Sequence, residues 1–290
     1  MTAATANAPL PASLAAKRDR LLETLRGYQR CLVALSAGVD SAVVAQAACQ
    51  ALGDRALAVT ATSASLAEGE LDAAIALAQQ IGIRHQVVHT DEFADPDYVR
   101  NDTDRCYHCK TELYTELAPL AAGENAIVVN GANLDDQGDY RPGMLAASEQ
   151  RVRSPLVECE LTKAEVRQLA AHWGLPVWDK PATPCLSSRV AYGQQVTPER
   201  VAMIDKAEQH LRGLGLRTLR VRYHAGDLAR LEVPLEELPR LCEPAIREAL
   251  VRRLRELGFR FITLDLEGFR SGSLNTLVPV EKLLRSTPTA

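Results

Sequence analysis

The chain has 290 residues, 33 of them Lys or Arg and 37 Asp or Glu, for a net charge of −4. That balance argues against a generic nucleic-acid-binding surface and leaves room for a local basic pocket. At this length roughly 75% of the unfolded chain's surface can be buried, so a core forms without disulfide staples. No apolar run approaches the ~18 residues of a membrane-spanning helix. The Ala/Thr/Pro-rich first 17 residues lack the basic start and apolar centre of a secretory signal and read as a flexible tail. Seven Cys, an odd number unevenly spread, favour metal or catalytic roles in a cytoplasmic setting over a disulfide framework.

In chain order, Lys17 to Tyr28 reads as an amphipathic helix and Cys31 to Leu35 as a buried strand. The small residues Ser36 to Ser41 follow, then a helix from Asp40 to Leu52 closed by Gly53. Ala56 to Thr60 is a second strand, Leu66 to Ile81 an Ala-rich helix stopped by Gly82, and Arg84 to His89 a third strand. A helix from Cys109 to Ala122 and a strand from Ala126 to Asn130 complete the alternation. Strands alternating with helices at this spacing predict βαβ units: an α/β domain built on a parallel sheet with helices on both faces. Ligands bind such sheets beyond the carboxyl ends of the strands. The loops Ser36–Ser41, Thr60–Ser65, Asp91–Cys106 and Gly131–Gly143 therefore share one edge.

Leu161 to Trp173 is a further helix, with Thr162 and Glu165 at capping-box spacing. Gly174 to Gln195 has three Pro, two Gly and no period, and reads as a functional loop and domain junction. Beyond it the helix Glu199–Leu214, strands Arg217–His224 and Leu228–Val233, helix Glu243–Leu257 and strand Phe259–Leu266 predict a smaller α+β domain of about 90 residues. The expected division is a tail to 17, an α/β domain over 18–178, a loop and junction over 179–196, and the second domain over 197–290.

Ser36-Ala37-Gly38-Val39-Asp40-Ser41, between a strand and a helix start, makes an anion cradle. Unpaired N–H groups point into one concavity and the helix dipole adds positive potential. Small residues let a phosphate approach the backbone. Ser36 and Ser41 can donate to it, and Asp40 can start the helix or help hold Mg2+. The run lacks the Gly-Lys-Ser/Thr ending of a Walker loop. It resembles the SGGxDS loop of the PP-loop ATP pyrophosphatases, with Ala37 in place of the second residue of the double Gly. Tolerance of Ala37 is expected if its backbone lies in a region open to L-residues.

Cys106-Tyr107-His108-Cys109 is a CxxC placed just before the expected helix. That spacing suits zinc, an iron–sulfur cluster or redox chemistry. Structural zinc takes four ligands, and there is no second CxxC. Cys185, in the Pro-rich loop, is the natural third ligand, and three thiolates suit a [4Fe–4S] cluster with one iron open. Arg105, His108 and Lys110 beside the pair favour thiolate. Cys31 and Cys49 fall in core elements, and Cys159 and Cys242 carry no partner pattern.

Gly131-Ala132-Asn133-Leu134-Asp135-Asp136 supplies oxygen donors at a strand end, as magnesium–phosphate sites do, although the same residues also make ordinary turns. Arg220 and Arg222 share one face of a strand and read as an oxyanion clamp or as a solvated outer face. Glu208 on the preceding helix is a plausible partner for either. Ser187, Ser188 and Arg189 stand within four residues of the Cys185 thiol.

SAGVDS, RCYHCK, GANLDDQGDYRPG, SPLVE, KPATPCLSSRVAYG, RVRYH and DLEGFRSGSLN follow one another from Ser36 to Asn275. In this combination the sequence resembles the LarE family, ATP-dependent sulfur transferases of nickel-pincer nucleotide biosynthesis, which serves lactate racemase maturation. The resemblance covers nearly the whole chain after the tail. It implies that ATP adenylates a carboxylate of pyridinium-3,5-biscarboxylic acid mononucleotide, and that a sulfur nucleophile displaces AMP to leave a thiocarboxylate. One type in the family gives up the sulfur of the cysteine matching Cys185. The other adds a CxxC and holds a [4Fe–4S] cluster whose open iron can carry a hydrosulfide, and Cys106 and Cys109 place this chain beside that type. The resemblance implies ATP and pyrophosphate contacts at Ser36, Ala37, Gly38, Val39, Asp40, Ser41, Thr60, Gly131 and Asp136, with Mg2+ near Asp40. It implies a substrate-phosphate clamp at Ser188, Arg189, Glu208, Arg220 and Arg222. Sulfide or another sulfur donor would be a partner, with no nucleic acid or membrane, and the assembly would be a homo-oligomer, a hexamer.

Three other readings compete. A PP-loop tRNA thiolase can hold a three-Cys cluster, but needs a polyanion-binding surface. An ammonia-using ligase of the NAD-synthetase kind leaves Cys106, Cys109 and Cys185 unexplained. A non-catalytic nucleotide or metal sensor would have a loop spoiled by Ala37.

Overall fold

The computed structural model describes residues 10–138, 142–270 and 273–274, the side chains of 137 and 138 apart. The first nine residues, Asp139-Tyr140-Arg141 and most of the Ser271–Asn275 run lie outside them. Helices and strands follow in the order α1 (Ala12–Gly27), β1 (Cys31–Ala34), α2 (Val39–Leu52), β2 (Ala56–Thr62), α3 (Glu70–Ile81), β3 (Arg84–His89), α4 (Pro96–Arg100), α5 (Arg105–Glu124), β4 (Ile127–Val129), α6 (Pro142–Glu149), α7 (Pro155–Glu158) and α8 (Lys163–His172). Then come α9 (Pro198–Gly213), β5 (Arg220–His224), β6 (Leu228–Glu232), α10 (Leu238–Cys242), α11 (Pro244–Glu256) and β7 (Phe261–Leu264).

The chain forms two compact units that are not consecutive in sequence. One holds Met1–Ser63, Glu68–Asp91 and Cys106–Thr183; the other holds Ala64–Ala67, Glu92–Arg105 and Pro184–Ala290. Two short stretches of the first half therefore belong to the second unit, a division a linear reading does not give.

In the first unit four parallel strands stand in the order β3-β2-β1-β4. β1 is flanked on both sides, which is why it reads as an unbroken apolar run. Alternation along the strands splits their side chains between two cores. Cys31 and Val33 of β1 and Ala56 and Ala58 of β2 pack with α1, α2, α3 and α8. Leu32, Leu57 and Val59 face the other way, onto Tyr114, Leu117 and Ala121 of α5 and Ala147 of α6. Helices thus cover both faces, as expected. The order reverses at β1, which has β2 on one side and β4 on the other, so the loops after β1 and β4 open at the switch point where such sheets take ligands.

Local signals set the helix ends. Thr162 and Glu165 form the expected capping box at α8, with Glu165 Oε2 accepting from Thr162 N at 2.9 Å. Thr197 caps α9, followed by Pro198 at its first position. α3 starts at Glu70 rather than Leu66 because Gly69 has φ +81°, in the left-handed region that interrupts a helix. α1 starts at Ala12, so part of the expected tail is helical. α5 starts at Arg105, so Cys106 and Cys109 lie on its first turn at i, i+3 rather than ahead of it.

In the second unit β5 and β6 are antiparallel, β6 and β7 parallel, in the order β5-β6-β7. The buried Val201, Ile204, Ala207 and Leu211 of α9 recur at helical spacing, as do Leu250 and Leu254 of α11. Among the described residues no helix is long and apolar enough to cross a membrane.

Candidate functional site

The loop after β1 is held from within. Ser41 Oγ donates to Gly38 O at 3.1 Å and accepts from Ser36 N at 3.2 Å, with Ser36 Oγ 3.1 Å away. Ser41 spends its one proton on this brace, so Ser36 is the donor in the hydroxyl pair, and the phosphate donors here are the N–H groups of the loop and first turn of α2. Gly38 caps α2 at φ −83°, a backbone open to any residue. An added Cβ there would lie 3.4 Å from Ser36 Oγ, so nothing among the described residues demands glycine at 38. Ala37 is the strained position, with φ +53°. The expectation that its backbone lies where L-residues are at ease is therefore corrected. Its methyl is fully buried in the core, and that burial offsets the strain.

Gly131 meets the same loop from β4. A Cβ there would come within 2.6 Å of Ser41 N and 3.0 Å of the Asp40 carbonyl carbon, so its smallness lets the β4 loop press on the start of α2. Asp40 does not stand open. Its Oδ1 accepts from Asn133 Nδ2 at 3.1 Å, and its Oδ2 takes the Lys163 ammonium. Asp136 Oδ2 accepts from Asn133 N at 3.0 Å, a turn-forming bond, and Asp135 Oδ2 accepts from Lys163 N at 2.9 Å. On the other side of the loop Lys180 Nζ donates to Ala37 O at 3.3 Å and to Glu70 Oε2 at 2.7 Å. Sequence reasoning passed over both lysines, since each reaches the loop from more than 100 residues away.

Thr60 is buried, and its hydroxyl donates to Leu35 O at 2.9 Å. It must therefore accept from His85 Nε2, 2.9 Å away, which fixes the Nε2–H tautomer. Burial lowers the His85 pKa, in keeping with that neutral form. Thr60 as placed ties β2 to the residue that follows β1 and to the start of β3.

In the second unit the loop bearing Cys185 rests on a buried frame. Arg189 and Glu208 are both fully buried. Arg189 Nε and Nη2 bond the two carboxylate oxygens of Glu208 at 3.0 and 3.3 Å. Arg189 Nη1 donates to Pro184 O, to Cys185 O at 2.9 Å and to Ser188 Oγ at 3.1 Å. Glu208 also accepts from Arg212 and from Val221 N. Glu208 thus pairs with Arg189 and Arg212, while Arg222 takes Glu232, a residue the sequence did not single out. Arg222 Nη1 also donates to Ser188 O at 3.0 Å and Nη2 to Ser273 Oγ at 3.1 Å. Arg220, on the same strand face, stacks its guanidinium 5.2 Å from the Phe269 ring centroid. Burial, and after it the neighbouring Arg189 charge, push Arg220 down to about 10. A cation held in that environment gains from an anion.

The far side of the loop is clamped by the stretch from the first half. Asn101, fully buried at φ +58°, donates through Nδ2 to the carbonyls of Val190, Ala191 and Gln194. Arg105 bonds Asn101 Oδ1 and donates to Ser187 O at 2.8 Å, and Tyr98 and Ser187 share a hydroxyl bond of 2.6 Å. Cys185 is exposed above a backbone pinned by Arg189 and Ser188. Cys106 is exposed and Cys109 half-buried. Cys106 is the first residue after one crossing between units, and Cys185 the second after another. Cys31 and Cys159 differ: both are buried, and burial pushes the Cys31 thiol up to about 12.

A parallel sheet with its order reversing at β1, and a Ser-Ala-Gly-Val-Asp-Ser loop feeding the helix beyond, define the PP-loop ATP pyrophosphatase class. The NAD synthase family model matches residues 18–102. Over 267 residues, 91% of the chain, the sequence is 46% identical to an uncharacterised protein of Synechocystis sp. and covers 99% of it. Over a stretch of the same length it is 40% identical to the pyridinium-3,5-bisthiocarboxylic acid mononucleotide synthase of Lactiplantibacillus plantarum, covering 95% of that enzyme. It is 29% identical to a glutamine-hydrolysing GMP synthase component of Pyrococcus furiosus over 66% of each chain. The chain belongs to the pyridinium-3,5-bisthiocarboxylic acid mononucleotide synthase family, LarE.

Proposed function

We propose that this chain is an ATP-dependent sulfur transferase that converts the carboxylates of pyridinium-3,5-biscarboxylic acid mononucleotide to thiocarboxylates. The observation that carries this reading is 40% identity across 95% of a synthase named for the bisthiocarboxylic acid product. The chemistry agrees with the residues. A carboxylate resists displacement because its leaving group would be oxide. A carboxylate oxygen attacks the α-phosphorus of ATP and pyrophosphate departs, held by the N–H groups from Gly38 to Ser41 and by the Ser36 hydroxyl turned from Ser41 onto it. Mg2+ enters with the nucleotide. A sulfur nucleophile then adds to the acyl adenylate, AMP leaves with its bonding electron pair, and the thiocarboxylate remains.

Ser188, Arg220 and Arg222 are proposed to bind the substrate phosphate. Arg189 and Glu208 act behind them as the frame that sets the loop. Cys106, Cys109 and Cys185 are proposed to hold a [4Fe–4S] cluster, and their thiols fit as a donor set: soft, and exposed or half-buried, unlike the buried Cys31 and Cys159. When bound by three thiolates such a cluster supplies one iron open to a sulfur ligand. We carry over homo-oligomeric assembly from the family resemblance; light scattering tests it.

The test is anaerobic turnover with MgATP, the biscarboxylic mononucleotide and sulfide, following AMP, pyrophosphate and product mass. More than one thiocarboxylate per chain is expected, together with iron, acid-labile sulfide and a cluster absorption that Cys106→Ala abolishes. A single transfer that leaves Cys185 as dehydroalanine would replace the cluster reading with consumption of that side chain. Turnover of ATP on tRNA alone would overturn the substrate assignment.

A further inference from the structure

The loop from Leu35 to Ser41 contains no Lys or Arg, and Asp40 adds a negative charge to it. A helix N-terminus offers only about half an elementary charge. Pyrophosphate carries several negative charges, so the cradle as built from its own residues is electrostatically incomplete. A Walker loop solves this with its own lysine; this loop has none.

Two lysines stand on it from outside. Lys163, the first residue of α8, places its ammonium on Asp40, and Lys180 places its own between Ala37 O and Glu70. The two contacts fall on either side of Gly38, which brings no side-chain cap to the start of α2. Both ammonium groups are partly accessible, with side chains 34% and 23% exposed, and each rests on a carboxylate of 22% exposure. Lysine is a compact charge on a flexible stem, suited to swinging from one anion to another. Its partners are fixed: Asp40 by Asn133, Glu70 by its place in the first turn of α3.

We propose that Lys163 and Lys180 are binding residues for the pyrophosphate part of the nucleotide, parked on Asp40 and Glu70 until phosphate takes their place. This rests on the ATP-dependent reading above and extends it to residues outside the loop motif. It also assigns Glu70 a competing role: it holds Lys180 away from phosphate.

The experiment is titration calorimetry of the full chain with MgATP, AMP and pyrophosphate, with melting curves alongside. Lys163→Gln and Lys180→Gln should each weaken pyrophosphate and ATP about tenfold to a hundredfold, the range of a lost charge-assisted bond, and change AMP less than about threefold. Glu70→Gln should act in the opposite direction, tightening pyrophosphate by freeing Lys180. A merely structural ion pair predicts a weaker melt in all three and no such reversal. Should a lysine variant fail to fold, the sign of the Glu70→Gln effect decides the matter. Unchanged pyrophosphate affinity in folded lysine variants, equal losses for AMP and ATP, or weaker binding in Glu70→Gln would overturn the assignment. A wild-type chain that binds neither ATP nor pyrophosphate would overturn the ATP-dependent reading itself.

Discussion

Arg189 and Glu208 meet with neither side chain reaching solvent, Nε to Oε1 at 3.0 Å and Nη2 to Oε2 at 3.3 Å. Nineteen residues apart, they join the Cys185 loop to α9. The remaining Arg189 donors hold the carbonyls of Pro184 and Cys185. Breaking such a buried pair by removing one charge leaves the other uncompensated, at about 3–5 kcal/mol. Glu208→Gln should therefore lower the urea midpoint by an amount matching ~3–5 kcal/mol. A loss under about 1 kcal/mol with substrate affinity abolished would put Glu208 on the substrate instead.

At Ala37 one cost stands against two gains. The left-handed backbone costs an L-residue about 1–2 kcal/mol. A fully buried methyl returns about 0.8 kcal/mol, and glycine would add roughly 0.4–1 kcal/mol of unfolded-chain entropy. Ala37→Gly should therefore change stability by less than about 1 kcal/mol. Ala37→Val, β-branched and confined, should cost more than about 2 kcal/mol. Equilibrium unfolding of the pair checks both signs.

Gly38 and Gly131 are small for different reasons. Gly38→Ala meets only Ser36 Oγ at 3.4 Å, so the melt should stay near wild type while pyrophosphate affinity falls at least about tenfold, because the Cβ occupies the ligand's approach. Gly131→Ala meets backbone at 2.6 Å and should destabilise the unit itself. A melting shift for Gly38→Ala as large as that for Gly131→Ala would show that both glycines serve packing alone.

Contiguous features were legible in the sequence. The β1 strand, the small-residue turn and α2 lie within about 20 residues, and their signals, an apolar run, absent side-chain bulk and helical spacing, are local. The Thr162 capping box was legible for the same reason. Residues that act by long-range pairing were not. Glu232 finds Arg222 only once β5 and β6 pair antiparallel, with Arg220 opposite Glu232. Asn101 and Arg105 sit in a stretch without marked periodicity, and their purpose appears only when Glu92–Arg105 is seen to belong with the Cys185 loop. Ala37 shows a further limit: its residue type argued for an ordinary backbone, and burial of its methyl together with its lower unfolded-chain entropy balanced that preference.

The protein should lose stability on mild acidification. Burial lowers the pKa of His85, His210 and His224, with Arg253 adding to it at His210 and Arg230 at His224. The unfolded chain titrates these groups near 6.5. Below that the unfolded state binds more protons than the folded one, so the stabilisation is complete above about pH 6.5 and is lost as pH falls through the folded values. The slope is at most about 1.4 kcal/mol per pH unit for each proton. Urea midpoints between about pH 7 and about pH 5 should fall, and His85→Gln, which keeps an N–H for Thr60, should flatten the fall. A midpoint independent of pH there would contradict the burial argument.

Asn101 offers the sharpest separation of backbone from side chain. Its φ of +58° is one that Asn tolerates and Ala resists, and its amide nitrogen serves three carbonyls of the Val190–Gln194 turn. Asn101→Gly keeps the backbone and loses the bonds; Asn101→Ala loses both. At about 1 kcal/mol per neutral bond, and about 1.5–3 kcal/mol for the Arg105 bond to Oδ1, Asn101→Gly should cost about 3–5 kcal/mol. The alanine variant should cost about 1–2 kcal/mol more for the left-handed conformation. The loop that this residue clamps carries Cys185, so loosening it should expose a thiol whose backbone is no longer fixed. Alkylation of Cys185 by iodoacetamide, followed by peptide mass, should be faster in both variants than in wild type, and that of Cys242 unchanged. If Cys185 reacts at the wild-type rate in a destabilised Asn101→Gly chain, the clamp supports the unit but does not position the thiol.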